Sequence, residues 1–439
     1  TAYVTSWFQT ALRRSEMAGF EWIAMSAVLL CAVAVLPGTL GVLMLTHKLA
    51  ADASGARFIY GQSVWVFAVS AALFTAAIYS AVTGGGFSAI MLVSVAAWCG
   101  ILVFGFFMHT SLMFRPVRKP EFITLDAALS RFGPDEEVIG VIDRHGKPHA
   151  FVARLARRPH VVYQPAGEAP FIMTHCILAH SSMSFALEGK FSTPDISISA
   201  VLANNMVFYD KSSRCSVIQI QNKARDEDMS LQTVSTVMVR LSTWKTLYPE
   251  SRVWVRPKEW RDFFYLKLLS RADVIDPASP VMVYALQNPQ DQRLPMKSLV
   301  LGLRNGSDNR TYPVSLFAQA PLINDRLGDK NLLLTAAFDD DYIQVFEREI
   351  EPGTTLTFKP SSTPGWFVDT QTESEWAPQG KCMKGSNAGR QLRPFAHYNK
   401  IFWYVWADFF PGTDIYSPLP TDNEPEQEDA ASSQAVAGE

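Results

Sequence analysis

The sequence predicts an α+β protein in which an N-terminal three-helix transmembrane bundle precedes a β-dominated soluble domain built from two internal repeats. Three observations predict this fold. Residues 20–114 are strongly apolar, the remainder alternates short apolar runs with turn residues, and several motifs of that remainder recur in the same order. The 439 residues carry a net charge of −3 and show no basic stripe, so we expect no nucleic-acid partner.

The first 19 residues form the first predicted element. Tyr3, Trp7, Phe8 and Leu12 follow one another at helical spacing, which is typical of an amphipathic helix lying in the membrane interface. No short apolar core with a cleavage site follows, as it would in an intact signal peptide. We therefore expect residues 1–19 to form an interfacial helix.

Residues 20–114 form the predicted transmembrane region. Uncharged runs at 22–45, 63–82 and 87–108 are each long enough, as helices, to cross a hydrocarbon layer of about 30 Å. A lipid-exposed segment must satisfy its backbone internally, so helix is the expected state. Pro37 and the glycine after it predict a kink in the first helix.

The three runs contain no Asp, Glu, Lys or Arg, which argues against an ion pathway through them. We expect them to anchor the chain in the lipid bilayer and to dock on other membrane protein subunits. The charged residues around the runs are Arg13, Arg14, Lys48, Arg57, Arg115, Arg118 and Lys119. Five of these seven lie on the side of the large domain, so the positive-inside rule favours its placement in the cytoplasm or matrix. The expected location is a bacterial or mitochondrial inner membrane.

The soluble region follows a linker at 115–121 and contains paired motifs. The string "VIGVIDRHGKPHAF" begins at Val138, and the similar "VLGLRNGSDNRTY" begins at Val300. The strings "TWKTLYPESRVW" and "VWADFFPGTDIY" both space a Trp, a Pro and an aromatic residue five and five apart. Their common order predicts a duplicated α+β unit, with repeat 1 at 122–275 and repeat 2 at 276–418. The acidic tail at 419–439 has no periodicity and is expected to be disordered.

The stretch "FIMTHCILAHSSMSF" at 171–185 crowds possible metal ligands together. Cys176, His180 and Met183, with His160 or His175 as a fourth ligand, would match an electron-transfer copper site. Copper or another transition metal is therefore one hypothesis, with candidate ligands His160, Cys176, His180 and Met183. A second hypothesis makes Cys176 a catalytic nucleophile with His160 as its base. A third makes the stretch a strand and turn with a structural role, because neighbouring side chains of a strand face opposite ways.

The soluble region, from about residue 120 to residue 417, resembles the bacterial family called domain of unknown function 3179. The motifs that carry the resemblance are "EVIGV", "HVV" at 160–162, the Cys176 segment ending in Phe185, "VFYDKSS" at 207–213, Gln219, "STWKTLYPESRVW" and "FWYVWADFFPGTDIY". The resemblance implies a shared fold and no settled reaction.

The resemblance also implies that the family's cysteine site is altered in this chain. The family pattern reads Tyr-Cys-Pro-Leu-Cys-Gly, and here His175, Ala179 and His180 replace its tyrosine, second cysteine and glycine. Ala179 removes the resolving thiol that dithiol exchange requires. Val217 likewise replaces the tryptophan of the family's Leu-Trp-Ser-Gln element.

These observations favour a membrane-anchored accessory or structural subunit of a larger integral membrane complex, such as a respiratory or photosynthetic one, in which the family site has degenerated. Two alternatives stay open. One is a metal-binding or redox protein that uses the cluster of Cys176, His160, His180 and Met183. The other is an enzyme with a cleft between the repeats.

Overall fold

A computed structural model describes residues 2–39, 53–84, 86–165, 167, 169–224, 230–263, 265, 274, 276–395 and 397–417, with side chains described outside 2–18, 53 and 397–399. The predicted disordered tail at 419–439 lies outside the described residues. So does the end of the predicted first membrane run, from residue 40 to residue 45.

The N-terminal region is helical. Its α-helices are α1 Ala2–Val35, α2 Ala53–Arg57, α3 Ser63–Gly84, α4 Ala89–Met108 and α5 Thr110–Met113. A π-helical turn at Phe58–Gln62 joins α2 to α3. Three helical segments are long and apolar enough to cross a membrane, namely Gly19–Gly38, Ser54–Gly84 and Ala89–Met108.

The ends of these helices differ from the sequence expectations. Helix α1 is continuous from Ala2, so the predicted interfacial segment and the start of the first membrane run lie in one helix. It ends at Val35 and passes into a 3-10 turn containing Pro37, where the expectation was a kinked helix to residue 45. Proline lacks the amide proton that a continuing helix needs. Helix α4 begins after Ser88, whose Oγ accepts a hydrogen bond of 3.2 Å from the backbone N–H of Met91.

The described part of the soluble domain is rich in β-strands. Its first half contains β1 Glu121–Thr124, β2 Glu137–Ile142, β3 Pro148–Val152, β4 Val161–Gln164, β5 Phe171–Cys176, β6 Ser181–Ala186, β7 Ile196–Leu202, β8 Asn205–Asp210, β9 Cys215–Ile218, β10 Lys223–Ala224, β11 Thr233–Arg240 and β12 Arg252–Val255. Its helices are α6 Leu125–Phe132, α7 Ala153–Ala156 and α8 Leu241–Leu247. An eight-stranded sheet has the order β1-β12-β3-β2-β11-β6-β5-β4, and a second sheet has the order β10-β9-β8-β7.

The second half is also built mainly from strands. It contains β13 Leu299–Asn305, β14 Asp308–Pro313, β15 Leu322–Leu327, β16 Lys330–Ala337, β17 Tyr342–Glu347, β18 Glu349–Glu351, β19 Thr354–Thr355, β20 Phe358–Pro360, β21 Phe367–Asp369, β22 Glu375–Trp376, β23 Cys382–Lys384, β24 His397–Phe402 and β25 Asp414–Ile415, with helix α9 at Trp403–Phe409. Its sheets have the orders β24-β13-β14-β25, β15-β16-β17, β18-β19 and β20-β21-β22-β23.

A glycine faces a tryptophan ring in each half. In the first half, a Cβ on Gly140 would lie 2.1 Å from the ring of Trp244, and in the second a Cβ on Gly302 would lie 2.4 Å from that of Trp406. Both tryptophans are fully buried and lie on the short helices α8 and α9. Only glycine leaves room for either ring, so strand β2 packs directly on helix α8 and strand β13 packs directly on helix α9.

Strand pairing around the two tryptophans also corresponds. The hairpin β2–β3 pairs with β11 in antiparallel fashion and with β12 in parallel fashion. The hairpin β13–β14 pairs with β24 and β25 in the same two ways. One hydrophobic core contains side chains from both halves, including Phe185 and Phe208 from the first and Trp403 and Trp406 from the second.

The helical region contacts the soluble domain through Tyr60, in the π-helical turn. The Tyr60 hydroxyl donates a hydrogen bond of 2.7 Å to the carbonyl oxygen of Ile198 in β7. It lies 2.7 Å from the Thr110 hydroxyl in α5, and its ring stacks on that of Tyr209. These contacts fix the position of the helices relative to the second sheet of the first half.

Candidate functional site

The Cys/His stretch forms the hairpin of β5 and β6, with residues 177–180 as its turn. Cys176 of β5 and Met183 of β6 are both buried in the core shared by the two halves. His175 faces the other way, and its Nδ1 lies 2.9 Å from the hydroxyl of Ser182. The alternation of strand side chains therefore separates His175 from Cys176.

The thiol of Cys176 lies in a poor environment for a nucleophile. The residue is 4% exposed, and its Sγ lies 3.6 Å from the carbonyl oxygen of Asn204. Burial raises the pKa of the Cys176 thiol to about 11, although backbone hydrogen bonds around it act in the opposite direction. Because the thiolate is the reactive form, this side chain is a weak nucleophile at neutral pH.

The neighbouring imidazoles are also poor bases. Burial lowers the pKa of His160 to about 4. Its Nδ1 is buried and has no hydrogen-bond partner among the described residues, and its ring lies 4.7 Å from that of Phe114. Burial, together with the neighbouring cationic and imidazole groups, holds the pKa of His175 well below its usual range. Neutral imidazoles of this kind accept protons weakly near neutral pH.

A cavity of about 160 Å³ lies beside the turn at 177–180. Its lining residues come from both halves: Glu137, Ala153, Arg157, His175, Ile177, His180, Pro277, Leu299 and Phe402. The ring of His180 stacks on that of Phe402 with centroids 5.4 Å apart, and its Nε2 lies 3.8 Å from Oε1 of Glu137. Burial lowers the pKa of His180, and the Glu137 carboxylate partly opposes that effect.

The second half holds this turn through two hydrogen bonds. The backbone N–H of Phe402 donates to the carbonyl oxygen of Ala179 over 3.1 Å. The hydroxyl of Tyr404 donates to the carbonyl oxygen of Leu178 over 2.8 Å. The turn at 177–180 is therefore bound by the start of helix α9 and by the residue that precedes this helix.

A reciprocal contact joins the turn between β16 and β17 to the first half. The backbone N–H of Arg240, at the start of α8, donates to Oδ2 of Asp341 over 2.9 Å. The Arg240 guanidinium also donates to the carbonyl oxygen of Phe338 over 3.3 Å. Each half thus places one hairpin turn against the junction of a strand and a helix in the other half.

Comparison with protein families identifies the region around this hairpin. The family described as "Protein of unknown function (DUF3179)" matches residues 115–413. The chain belongs to the DUF3179 family. Neither the comparison with curated proteins nor that with solved structures gives a match.

The family match confirms the resemblance found in the sequence and covers both halves of the soluble domain. It begins at Arg115, directly after α5, so the three candidate membrane spans precede the DUF3179 region. The family description assigns no reaction, and the chemistry of the site must be argued from its own residues.

The structure brings some of the candidate site residues together and separates others. His175 and His180 line the cavity, whereas Cys176 and Met183 lie in the hydrophobic core. His160 lies against Phe114. Among the described residues, no group of three or more His, Cys, Asp and Glu side chains is arranged to hold a metal ion. The five cysteines form no disulfide, so Cys215 does not act as a disulfide partner of Cys176.

Sequence reasoning missed Glu137, Arg157 and Phe402 as neighbours of His180. These residues are distant along the chain, and only the packing of the two halves brings them to one cavity. The predicted family residue Gln219 has a structural position. Its buried amide donates to the hydroxyl of Thr174 over 2.9 Å and accepts from the hydroxyl of Ser181 over 2.8 Å, which joins β5 to β6.

Proposed function

We propose that this chain is a membrane-anchored accessory or structural subunit of a larger integral membrane complex, such as a respiratory or photosynthetic one. The observation that carries the proposal is the binding of the turn at 177–180 by Phe402 and Tyr404. In this proposal, the cysteine pair that the family resemblance implies is reduced to one buried thiol, and the turn that would carry the second cysteine acts as a contact between the halves. A site of this kind stabilises a scaffold.

The proposal includes a duplicated soluble domain, with repeats at 122–275 and 276–418 related by an approximate twofold axis. Two observations support it. Gly140 packs on Trp244 as Gly302 packs on Trp406. The contacts of Phe402 with Ala179 and of Arg240 with the turn at 338–341 are reciprocal, as a twofold arrangement requires. A duplicated domain of this kind would provide a broad rigid surface, and a structural subunit needs such a surface but no catalytic reaction.

The proposal also includes a three-helix transmembrane bundle that docks on other membrane subunits in a bacterial or mitochondrial inner membrane. Apolar side chains such as Trp65, Tyr79 and Val93 are largely exposed on α3 and α4 and require a lipid or protein environment. Within the bundle, the Ser70 hydroxyl donates to the carbonyl oxygen of Ala27 over 2.7 Å, and the indole N–H of Trp98 donates to the Ser70 hydroxyl over 3.0 Å. These polar contacts favour a defined helix packing that partners can recognise.

Mild detergent extraction followed by native electrophoresis tests the proposed function. The chain is expected to migrate with a larger complex, and Cys176→Ser is expected to leave that migration unchanged. Cys382→Ser is a matched control, because Cys382 is a second buried thiol remote from the turn. Migration of the wild-type chain as a free monomer would overturn the proposal, and loss of assembly in Cys176→Ser alone would assign the thiol a required role.

A second candidate function is binding or conversion of a small molecule in the cavity between the halves. The observation that favours it is the cavity of about 160 Å³ with His175 and His180 in its wall. Native mass spectrometry of the purified full chain would reveal a bound small molecule that His180→Ala removes. Metal analysis of the same sample tests the redox alternative, for which stoichiometric copper or another transition metal is required.

A further inference from the structure

A second cleft lies where the third candidate membrane span meets the soluble domain. Its volume is about 640 Å³, and it opens beside the segment that follows α5. Five cationic side chains and one carboxylate line it: Arg115, Arg158, Arg256, Lys258, Arg261 and Glu259. This concentration of positive charge contrasts with the net charge of −3 on the whole chain.

Aromatic contacts place the cleft at the end of helix α4. The indole of Trp260 lies edge-on to the ring of Phe107, with centroids 5.9 Å apart. The guanidinium of Arg261 lies 4.3 Å above the ring of Phe106. Trp260 and Phe263 are themselves 68% and 85% exposed. Tryptophan and basic residues at the end of an apolar helix are typical of the membrane interface.

Two arginines in the wall of the cleft are fixed and buried. Nη1 of Arg158 lies 2.7 Å from Oδ1 of Asp262, and Nη1 of Arg256 lies 2.7 Å from Oδ2 of the same carboxylate. Burial opposes ionisation of Asp262, but hydrogen bonds from Arg256, the Glu259 backbone and Arg158 lower its pKa overall. Asp262 therefore faces both guanidinium groups, and Nη1 of Arg158 also lies 3.0 Å from Oε2 of Glu259.

This pairing leaves cationic groups of the cleft without a compensating charge. The side chain of Arg256 is only 8% exposed, and its buried Nε has no hydrogen-bond partner among the described residues. Arg115 and Lys258 form no ion pair within the described part of the chain, and both are exposed. With Glu259 and Asp262 counted against the five cations, the cleft keeps a net positive charge. The net positive charge, carried by arginine and lysine side chains that line the cleft, favours an anionic ligand here.

We propose that this cleft binds the phosphate of an anionic phospholipid headgroup, with the acyl chains lying along α4 beside Phe106 and Phe107. Arginine provides several donors in a geometry that fits phosphate oxygens, and the two fixed guanidinium groups reduce the ordering cost of binding. Basic pockets at the ends of membrane helices bind lipid phosphates in this way. The adjoining aromatic and apolar surface distinguishes a lipid from free phosphate, which shares only the headgroup chemistry.

The test uses the full chain purified in a neutral detergent. Native mass spectrometry and thermal unfolding are measured with added phosphatidylglycerol, phosphatidylcholine or inorganic phosphate. Phosphatidylglycerol is expected to stay bound and to raise the unfolding temperature, because a ligand of the native state stabilises it. Phosphatidylcholine is expected to do neither. If inorganic phosphate stabilises the chain as much as phosphatidylglycerol does, the lipid assignment is wrong.

Variants distinguish this cleft from general attraction to an anionic surface. Arg115→Ala and Lys258→Ala change exposed side chains and are expected to fold normally. Each is expected to weaken phosphatidylglycerol binding about fivefold, from the attraction typical of one basic residue near a membrane. Lys359→Ala is the matched control, because Lys359 is exposed on β20 and does not line the cleft. Equal affinities of all three variants and the wild-type chain would overturn the proposal.

Discussion

The hydroxyl of Tyr404 donates a hydrogen bond of 2.8 Å to the carbonyl oxygen of Leu178. This bond joins helix α9 of the second half to the turn at 177–180 of the first. Tyr404 is 2% exposed, so the bond is shielded from water. The turn that follows Cys176 is thereby part of the contact between the halves.

Tyr404→Phe is expected to lower the free energy of unfolding by about 1–3 kcal/mol, because it leaves the carbonyl oxygen of Leu178 without this donor. Denaturant unfolding of the full chain in detergent measures the change. Tyr416→Phe is the matched control, since the Tyr416 hydroxyl makes no hydrogen bond within the described part of the chain. An unchanged Tyr404→Phe variant would show that the bond contributes nothing to the contact between the halves.

Gly140→Ala and Gly302→Ala are expected to destabilise the chain to a similar extent. The new Cβ would lie 2.1 Å from the ring of Trp244 in one case and 2.4 Å from that of Trp406 in the other. Overpacking of this kind costs about 1–3 kcal/mol. Thermal unfolding compares both variants with Gly100→Ala, a helical position where no heavy atom lies within 4 Å of the new Cβ. Loss of stability in only one variant would argue against equivalent packing.

Cys176 is expected to react slowly with maleimide at neutral pH while the chain is folded. Its thiol is buried and its pKa is raised to about 11, so the thiolate fraction is small. Site-resolved mass spectrometry after timed labelling measures the rate, with the denatured chain as the reference for full reactivity. Labelling of Cys176 as fast in the folded as in the denatured chain would support the catalytic hypothesis instead.

Three helices long and apolar enough to cross a membrane could be predicted from sequence, because the thickness of a bilayer sets a length that three uncharged runs meet. Their ends could not be predicted equally well. The expected continuation of the first helix past Pro37 fails where Gly38 lies against the imidazole of His109, so close that a Cβ on Gly38 would lie 2.0 Å from its Nε2. His109 is distant in sequence, and no local pattern reveals this contact.

The candidate site could also be predicted from the sequence only in part. The period of two along a strand is a local property, and it separates His175 from Cys176 as the sequence indicates. The neighbours of His180 depend instead on how the halves pack. Phe402 reaches its imidazole only because helix α9 lies against the turn of the first hairpin. A list of metal-binding residue types within one stretch contains no information about that packing.

Acidification is expected to destabilise the soluble domain through three of its histidines. Burial lowers the pKa values of His160, His175 and His180 in the folded state, whereas an unfolded histidine has a pKa of about 6.5. The unfolded state therefore binds more protons below about pH 6.5, and linkage requires stability to fall as the pH decreases. The stabilisation is complete above about pH 6.5 and is lost toward pH 4, the approximate folded pKa of His160.

His160→Gln isolates one contribution to this pH dependence. Each histidine that stays neutral in the folded state adds at most about 1.4 kcal/mol per pH unit to the slope of the unfolding free energy. Denaturant unfolding between pH 7 and pH 4 is expected to give a smaller slope for His160→Gln than for the wild-type chain, whatever the variant's stability at pH 7. The exposed His145, changed to Gln, is the matched control. An unchanged slope in His160→Gln would mean that His160 gains its proton equally well in the folded chain, which its buried Nδ1 without a partner argues against.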